Sequence, residues 1–352
     1  MEKYNFTKIW VSRIIESNKP FRIKSKILSC VFKFGLIPLI VLFLYYFGFP
    51  FSHMKLQNEY LLILISILFW TGYLGPCLIR YYDETLLPNF FQKATDLVPD
   101  KEKIYYLAKK YDTMFSKKFW IISIPWAVLL LLTFVNNIDI LKTYGRITGI
   151  SDIYFWIGII SVLWIALLTS IGFWGVITTI CAINELSKEE LNIDPLHPDK
   201  LGGLSSVGYY AIGTTLSFST GSLFLPAAFL FVSHKINETY FVYILVSIFS
   251  IFICISFFYP TYKIHKSAVR IRDKILDKLR KKYNQLNQSL NSSENNQMNV
   301  MTAYFNLYRI NTEYEHYKNV HLYPFESKIF LKLISSIVLP FVFLVIDKVF
   351  FN

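Results

Sequence analysis

Hydrophobic positions in this chain gather into blocks of about 20 residues that carry almost no charge, the length a helix needs to cross a bilayer. The blocks run from about Phe34 to Phe49, Tyr60 to Leu78, Phe119 to Val135, Ile153 to Ile183, Val207 to Val232 and Thr239 to Tyr259. The fourth is long enough to project beyond the membrane. A last block, about Ile329 to Phe351, holds Pro340 and Asp347 and reads as a seventh span or a re-entrant hairpin. Short alternating segments of about ten residues, which would mark a membrane barrel, are absent. The pattern predicts an all-α integral membrane protein with six or seven transmembrane helices.

Polar stretches lie between and around these blocks. They divide the chain into a basic, interfacial N-terminal segment (1–33), a transmembrane bundle (34–262), a hairpin (263–328) and a C-terminal membrane segment (329–352). Within the bundle sit a helical insertion, 81–118, and a loop, 184–206. In the insertion Pro99-Asp100 predicts a helix start with Asp100 as N-cap. Ile104, Leu107, Tyr111 and Met114 then follow at spacings of three and four, which makes one apolar stripe. In the hairpin region Val269, Leu276, Leu279, Tyr283, Leu286 and Leu290 form a heptad seam broken by Arg272. After the polar turn NSSENNQ (Asn291 to Gln297), Met298, Met301, Phe305, Tyr308 and Thr312 repeat the spacing. This predicts an αα-hairpin whose first arm continues the sixth span. Three amphipathic helices cannot bury their stripes alone, so they are expected to pack together or against a second copy of the chain, as in a homo-oligomer. At the N-terminus Phe6, Ile9, Trp10 and Ile14 fall on one side, as in a short helix lying on the membrane surface. No compact apolar core precedes a small-residue cleavage site, so no signal peptide is expected.

Charge orients the bundle. With the N-terminus inside, 31 of the 36 Lys and Arg residues lie on the cytoplasmic side and 5 on the other. That asymmetry predicts a cell-membrane protein with its N-terminus and both long polar stretches in the cytoplasm. The net charge of +12 then reflects contact with anionic lipid rather than nucleic acid. The composition, 54% hydrophobic and 18% aromatic, agrees with a bilayer as the main partner. Cys30, Cys77, Cys181 and Cys254 show no paired spacing and read as small buried hydrophobes.

The segment NELSKEELNIDPLHPDKLGGLSS (Asn184 to Ser206) is the densest in candidate chemistry. Two proline turns followed by Gly202-Gly203 make a tight loop, and His197 and Asp199 flank Pro198. One reading makes Asp194, His197, Asp199, Lys200, Gly202 and Gly203 a ligand-binding or gating loop under a pore mouth. The other makes the segment a connector with Asp199 as the N-cap of the fifth span. HPDK alone matches the loop of J-domain co-chaperones, but a basic helix before it and a packed soluble helix after it are missing. HPDKLGGL (His197 to Leu204), with YPF (Tyr323 to Phe325) before a final apolar segment, resembles a cytoplasmic loop pattern of uncharacterised prokaryotic multi-pass membrane proteins. The resemblance covers about a dozen residues and implies no activity.

The fifth span is the most polar. Ser206, Tyr210, Gly213, Ser217 and Thr220 share one helical stripe, and Pro226 follows. Gly213, Ser217 and Thr220 read either as a pore wall or as a small-residue packing face opposite Gly172, Gly175 and Thr179. TGYLGP (Thr71 to Pro76) has the wrong order for a potassium filter and predicts a helix kink. Ionisable residues are nearly absent from the spans, which speaks against a proton-coupled carrier or a voltage sensor. No catalytic motif, metal cluster or cofactor signature occurs. The functional expectation is a channel or permeation pathway gated by its cytoplasmic helices. The alternative is a membrane-anchored signalling or assembly module that docks a cytoplasmic protein. A lipid-directed enzyme centred on His197 and Asp199 comes third.

Overall fold

The computed structural model describes residues 4–17, 25–47, 67–136, 138, 149–224, 239–292 and 297–323, together with 331, 332, 334, 335 and 338. Among them there is no strand. The elements are α1 (Trp10–Glu16), α2 (Lys26–Phe47), α3 (Gly75–Tyr81), α4 (Leu87–Leu97), α5 (Lys101–Lys117), α6 (Trp120–Asn136), α7 (Ile153–Leu186), α8 (Ser205–Ser219), α9 (Thr239–Ser292) and α10 (Gln297–Asn319). Three stretches are long and apolar enough to cross a membrane: Lys101–Asn136, Ile153–Leu186 and Ser247–Gln288. Their outer faces stay bare. Ile121, Ile124, Val128 and Leu132 of α6, Ile160 of α7, and Ile248, Ile251 and Ile255 of α9 are all exposed. Apolar surface of this extent is stable only against lipid or protein, so the chain is an all-helical, membrane-associated protein. The spans expected up to Phe49, from Tyr60, up to Val232 and from Ile329 extend outside the described residues.

Residues 67–97 form one helical rod interrupted by two π-helical turns, Trp70–Leu74 and Tyr82–Leu86. Each ends two residues before a proline, Pro76 and Pro88. A proline has no N–H to return to the carbonyl four residues back, and its ring crowds that carbonyl, so the helix widens there. The TGYLGP kink predicted from sequence is the first of these turns. It brings Gly72 against α2, where a Cβ on Gly72 would lie 2.9 Å from the Gly35 Cα. The second turn points Tyr82 and Asp83 into the core, where both are buried.

Asp100 caps α5 as its sequence predicts, accepting the Glu102 and Lys103 N–H groups at 3.1 and 3.2 Å. The buried side of α5 includes Ile104, Leu107 and Tyr111 from the expected stripe, and Asp112 and Phe115 beside them. Helix α6 packs on α7 through Ser123 and Ser170 Oγ atoms 2.6 Å apart and through Trp126 Nε1 donating to Thr169 Oγ1 at 2.8 Å.

The N-terminal segment departs from the expected surface helix. Only Trp10–Glu16 is helical; residues 4–9 run without regular structure. Ile9, Val11 and Ile15 are fully buried, while Ile14 is exposed. Trp10 packs between Phe34 and Trp164, ring centroids 6.2 and 6.1 Å away. The sequence pattern puts Phe6, Ile9, Trp10 and Ile14 on one lipid-facing side; of these Ile14 is exposed, while Phe6, Ile9 and Trp10 pack inward together with Val11 and Ile15. In the fold they meet protein, because α2 and α7 offer an aromatic wall. Lys33 Nζ closes the C-terminus of α1, donating to the carbonyls of Ile14 at 2.8 Å and Ile15 at 3.1 Å and also to that of Ser17.

The hairpin forms as α9 and α10. Its first arm continues the sixth apolar block without a break. Leu279 is buried and Leu276, Leu286 and Leu290 are half-buried, as the predicted heptad seam requires, but Tyr283 in the middle of that seam is exposed. On α10 the sides are exchanged relative to expectation. Leu307 is buried and Ala303, Ile310, Tyr314 and Tyr317 are half-buried, so these form the inner face. Met301, Phe305 and Tyr308, expected inside, point outward.

Candidate functional site

The loop between α7 and α8 is organised by one carboxylate. Asp199 Oδ1 accepts the N–H groups of Leu201 at 2.8 Å and Gly203 at 3.1 Å, and Oδ2 accepts that of Ser205 at 3.2 Å. Leu204, the residue preceding α8, has no side chain able to cap the helix, and Asp199 supplies the acceptor from upstream. Burial opposes ionisation of Asp199, but the three backbone donors outweigh it and hold its carboxyl below the usual range. His197 Nδ1 lies 2.7 Å from Asp199 Oδ1 and 3.3 Å from the Asp199 backbone nitrogen, so the imidazole sits directly against this turn. Asp194 Oδ1 accepts the Leu196 N–H at 2.9 Å and closes the preceding turn.

Lys200, Gly202 and Gly203 adopt φ of 56°, 67° and 89°. The two glycines are also enclosed. A Cβ on Gly202 would come within 2.8 Å of Ile193 Cγ2, and one on Gly203 within 3.1 Å of Leu97 Cδ2. Asp199, Gly202 and Gly203 are therefore occupied in building the turn that starts α8. Asp194 and Lys200 are exposed and His197 is half-buried. Among the described residues no group of three His, Cys, Asp or Glu side chains could hold a metal ion.

The polar stripe of the fifth span faces the bundle interior and is consumed there. A Cβ on Gly213 would lie 2.8 Å from Leu86 Cδ2, so α8 meets the 67–97 rod at that point. Ser217 Oγ donates to the Gly213 carbonyl at 2.8 Å, and Thr220 Oγ1 accepts Trp70 Nε1 at 3.1 Å. Above them the hydroxyls of Tyr82 and Tyr210 are 2.7 Å apart, Tyr82 OH is 3.1 Å from Thr179 Oγ1, and Thr179 Oγ1 is 3.0 Å from Thr214 Oγ1. Tyr210 stacks on Phe90 with centroids 4.3 Å apart. The hydroxyls act as rivets between α8, α7 and the rod, the use expected of polar side chains between membrane helices. Of the three residues expected to face α8, Thr179 meets it through Thr214, whereas Gly175 lies beside Phe115 and Tyr82 and Gly172 faces open space. Tyr82 was missed in the sequence because it lies past the end of its apolar block.

A second polar centre was not foreseen. Asp112 is 1% exposed, and its carboxylate receives four contacts from the N-terminal strap. Tyr4 OH donates at 2.7 Å, Thr7 Oγ1 at 2.8 Å, and the Thr7 N–H reaches both oxygens at 3.1 Å. Asp83, 4% exposed, accepts the Ile9 N–H at 3.0 Å. Neither carboxylate has a Lys or Arg partner among the described residues; Lys8 reaches Glu16 and, at 3.9 Å, Glu84 instead. Burial pushes the Asp83 carboxyl up to about 6. The Ile9 N–H resists that rise, and the nearby Asp112 and Glu84 carboxylates add to it. Sequence reasoning could not find this centre, since its donors and acceptors lie 74 to 108 positions apart.

Among the described residues outside the candidate spans, the outer side of α10 exposes a continuous apolar face. Met301, Tyr304, Phe305 and Tyr308 are 76, 63, 68 and 71% exposed, at spacings that put them on one face. No family model, characterised protein or solved structure matches the chain, so the site rests on this geometry alone.

Proposed function

We propose that the chain is a multi-pass membrane anchor of six or seven spans whose cytoplasmic hairpin docks a protein partner. The observation that carries this reading is the bare face of α10. An isolated aromatic in water needs no explanation, but four large apolar side chains at i, i+3, i+4 and i+7 form the pattern by which one helix enters an apolar groove. The inner face of α10 is already satisfied by α9, so this second stripe is surplus to folding. The partner is expected to present an apolar cleft long enough for two helical turns, about 11 Å.

A photo-crosslinking residue in place of Phe305 tests the proposal in cells, with one in place of the buried Leu307 as control. An adduct to a single different protein from position 305, and none from 307, is the expected result. Adducts joining two copies of this chain would replace a foreign partner with a homo-oligomer. The absence of any adduct at 305 would overturn the docking function.

A permeation pathway along Gly213, Ser217 and Thr220 is the lesser reading, because Gly213 abuts Leu86, Thr220 holds Trp70 and the Ser217 hydroxyl is bonded within its own helix. Ion flux in liposomes, wild type beside Ser217→Leu, tests it directly: flux lost on substitution would restore it as the lead.

A further inference from the structure

Helix α9 runs unbroken from Thr239 to Ser292, so its lipid-facing side can be followed beyond the apolar block. The exposed side carries Ile248, Ile251 and Ile255, then Tyr259 and Tyr262, then Lys266 and Arg270, with Lys263 at its edge. The opposite side, with Ile253, Phe257, Thr261, Ile264 and Ala268, is fully buried. Aliphatic, aromatic and basic side chains thus succeed one another along a single surface. That order matches the layers of a bilayer leaflet: hydrocarbon, interface and headgroups.

The spacing fits as well. At 1.5 Å per residue, Lys263, Lys266 and Arg270 stand about 2, 6 and 12 Å beyond Tyr262, within reach of the headgroup layer for side chains of their length. Lys263 Nζ lies 5.5 Å from the centre of the Tyr259 ring. Lys266 and Arg270 have no ion-pair partner among the described residues. The next acid on this side, Asp273, is held by Arg272 at 2.9 Å.

We propose that this face of α9 is a binding site for anionic phospholipid headgroups. Lys263, Lys266 and Arg270 contact the phosphate and any headgroup carboxylate, and the Tyr259 and Tyr262 rings rest at the glycerol level. Arg270 can take a phosphate through two parallel N–H donors. A lipid is assigned rather than free phosphate because the acyl chains of the same molecule have the Ile248–Ile255 stripe to lie on. The inference depends on α9 crossing the membrane and is independent of what the hairpin docks.

The test uses the full-length protein in phosphatidylcholine bilayers with spin-labelled phosphatidylserine or phosphatidylcholine as probe. The protein-restricted fraction of each label gives a preference ratio. For wild type the expected ratio is about fivefold in favour of phosphatidylserine at about 0.1 M salt, where the screening length is about 10 Å. Lys263→Gln/Lys266→Gln/Arg270→Gln should bring it below about twofold. The control Lys278→Gln/Arg280→Gln/Lys281→Gln removes the same charge about 24 Å or more beyond Tyr262, past two screening lengths, and should leave it unchanged. Circular dichroism of each variant verifies that the helices are intact. Equal losses in both variants would reduce the effect to net charge and overturn the site. So would a wild type without preference, or a preference erased by millimolar inorganic phosphate at constant ionic strength.

Discussion

Replacing Asp83 with Asn is expected to tighten the docked N-terminal strap at neutral pH, although it removes an acceptor of a hydrogen bond. The docked carboxyl titrates at about 6 against 3.8 for an unperturbed group. A raised carboxyl pKa means the docked state prefers the proton. Its stabilising contribution is full below 3.8, falls as pH rises toward about 6, and is gone above that. At neutral pH the ionised, buried carboxylate therefore opposes docking by at most about 3 kcal/mol. Asparagine keeps an oxygen for the Ile9 N–H but carries no charge, and the weaker acceptor returns about 1 kcal/mol of that gain. The net is about 2 kcal/mol, or thirtyfold in the opening equilibrium.

Hydrogen exchange of the backbone amides of residues 7–16, corrected for intrinsic rates, reads this equilibrium. Wild-type protection should decline from about pH 4 to about 6 and level off above that, and Asp83→Asn should be flat and higher at neutral pH. Asp112→Asn should act in the opposite direction, because that carboxylate is met by Tyr4 OH, Thr7 Oγ1 and the Thr7 N–H and loses most of those charge-assisted bonds. Faster exchange in Asp83→Asn than in wild type at neutral pH, or a wild type without pH dependence, would refute the reasoning.

Asp199→Ala should lower unfolding stability by about 2–4 kcal/mol, since three N–H groups lose their acceptor, whereas His197→Ala should cost less than about 1 kcal/mol; thermal unfolding in detergent compares them. Gly72→Ala should destabilise by about 1–3 kcal/mol, because its Cβ would press on the Gly35 backbone, while Gly172→Ala, with nothing within 4 Å, should be neutral or slightly stabilising. Tyr82→Phe should cost about 1 kcal/mol by leaving the Tyr210 and Thr179 hydroxyls one partner short, measured in the same assay.

What the sequence made legible was local. Asp100 announces its helix by residue type and position, and the seam from Val269 to Leu290 announces the hairpin by period alone. The TGYLGP kink follows from one proline. Long-range pairings left no such signal. Asp83 and Asp112 look like ordinary solvent-facing acids in a polar stretch, and only the fold brings Thr7 and Ile9 to them. Helix α10 failed for a different reason. It carries two apolar stripes, and the one with the larger side chains, Met301 to Tyr308, is the one left bare. Hydrophobic size ranks stripes by transfer energy, but which stripe meets α9 is decided by close approach. The smaller Ala303, Leu307 and Ile310 face allows that approach. The Gly202-Gly203 pair was legible as a turn, yet its occupied surroundings were not.

Those surroundings link the hairpin to the bundle. Just past α10, Val320 and Leu322 are buried, with Val320 Cγ1 3.7 Å and Leu322 Cδ2 3.5 Å from where a Gly202 Cβ would stand. The Leu322 carbonyl lies 3.2 Å from His265 Nδ1 on α9. On the other side of the turn Gly203 abuts Leu97, whose carbonyl accepts the Asn192 N–H at 2.6 Å. The root of the hairpin, the cap of α8 and the end of α4 therefore share one small core, and none can shift without the others. Gly202→Val tests this coupling. It forces a β-branched residue into φ 67° and drives a methyl into Ile193 and Leu322, a combined cost of several kcal/mol at roughly 1–3 for each effect. If the core is shared, hydrogen exchange should rise together at the first turn of α8 and in residues 320–323, and a protease should cut at the hairpin root. A variant that loosens the turn but leaves residues 320–323 as protected as before would show that the hairpin is seated independently. In that case nothing docked on α10 could reach the bundle by this route.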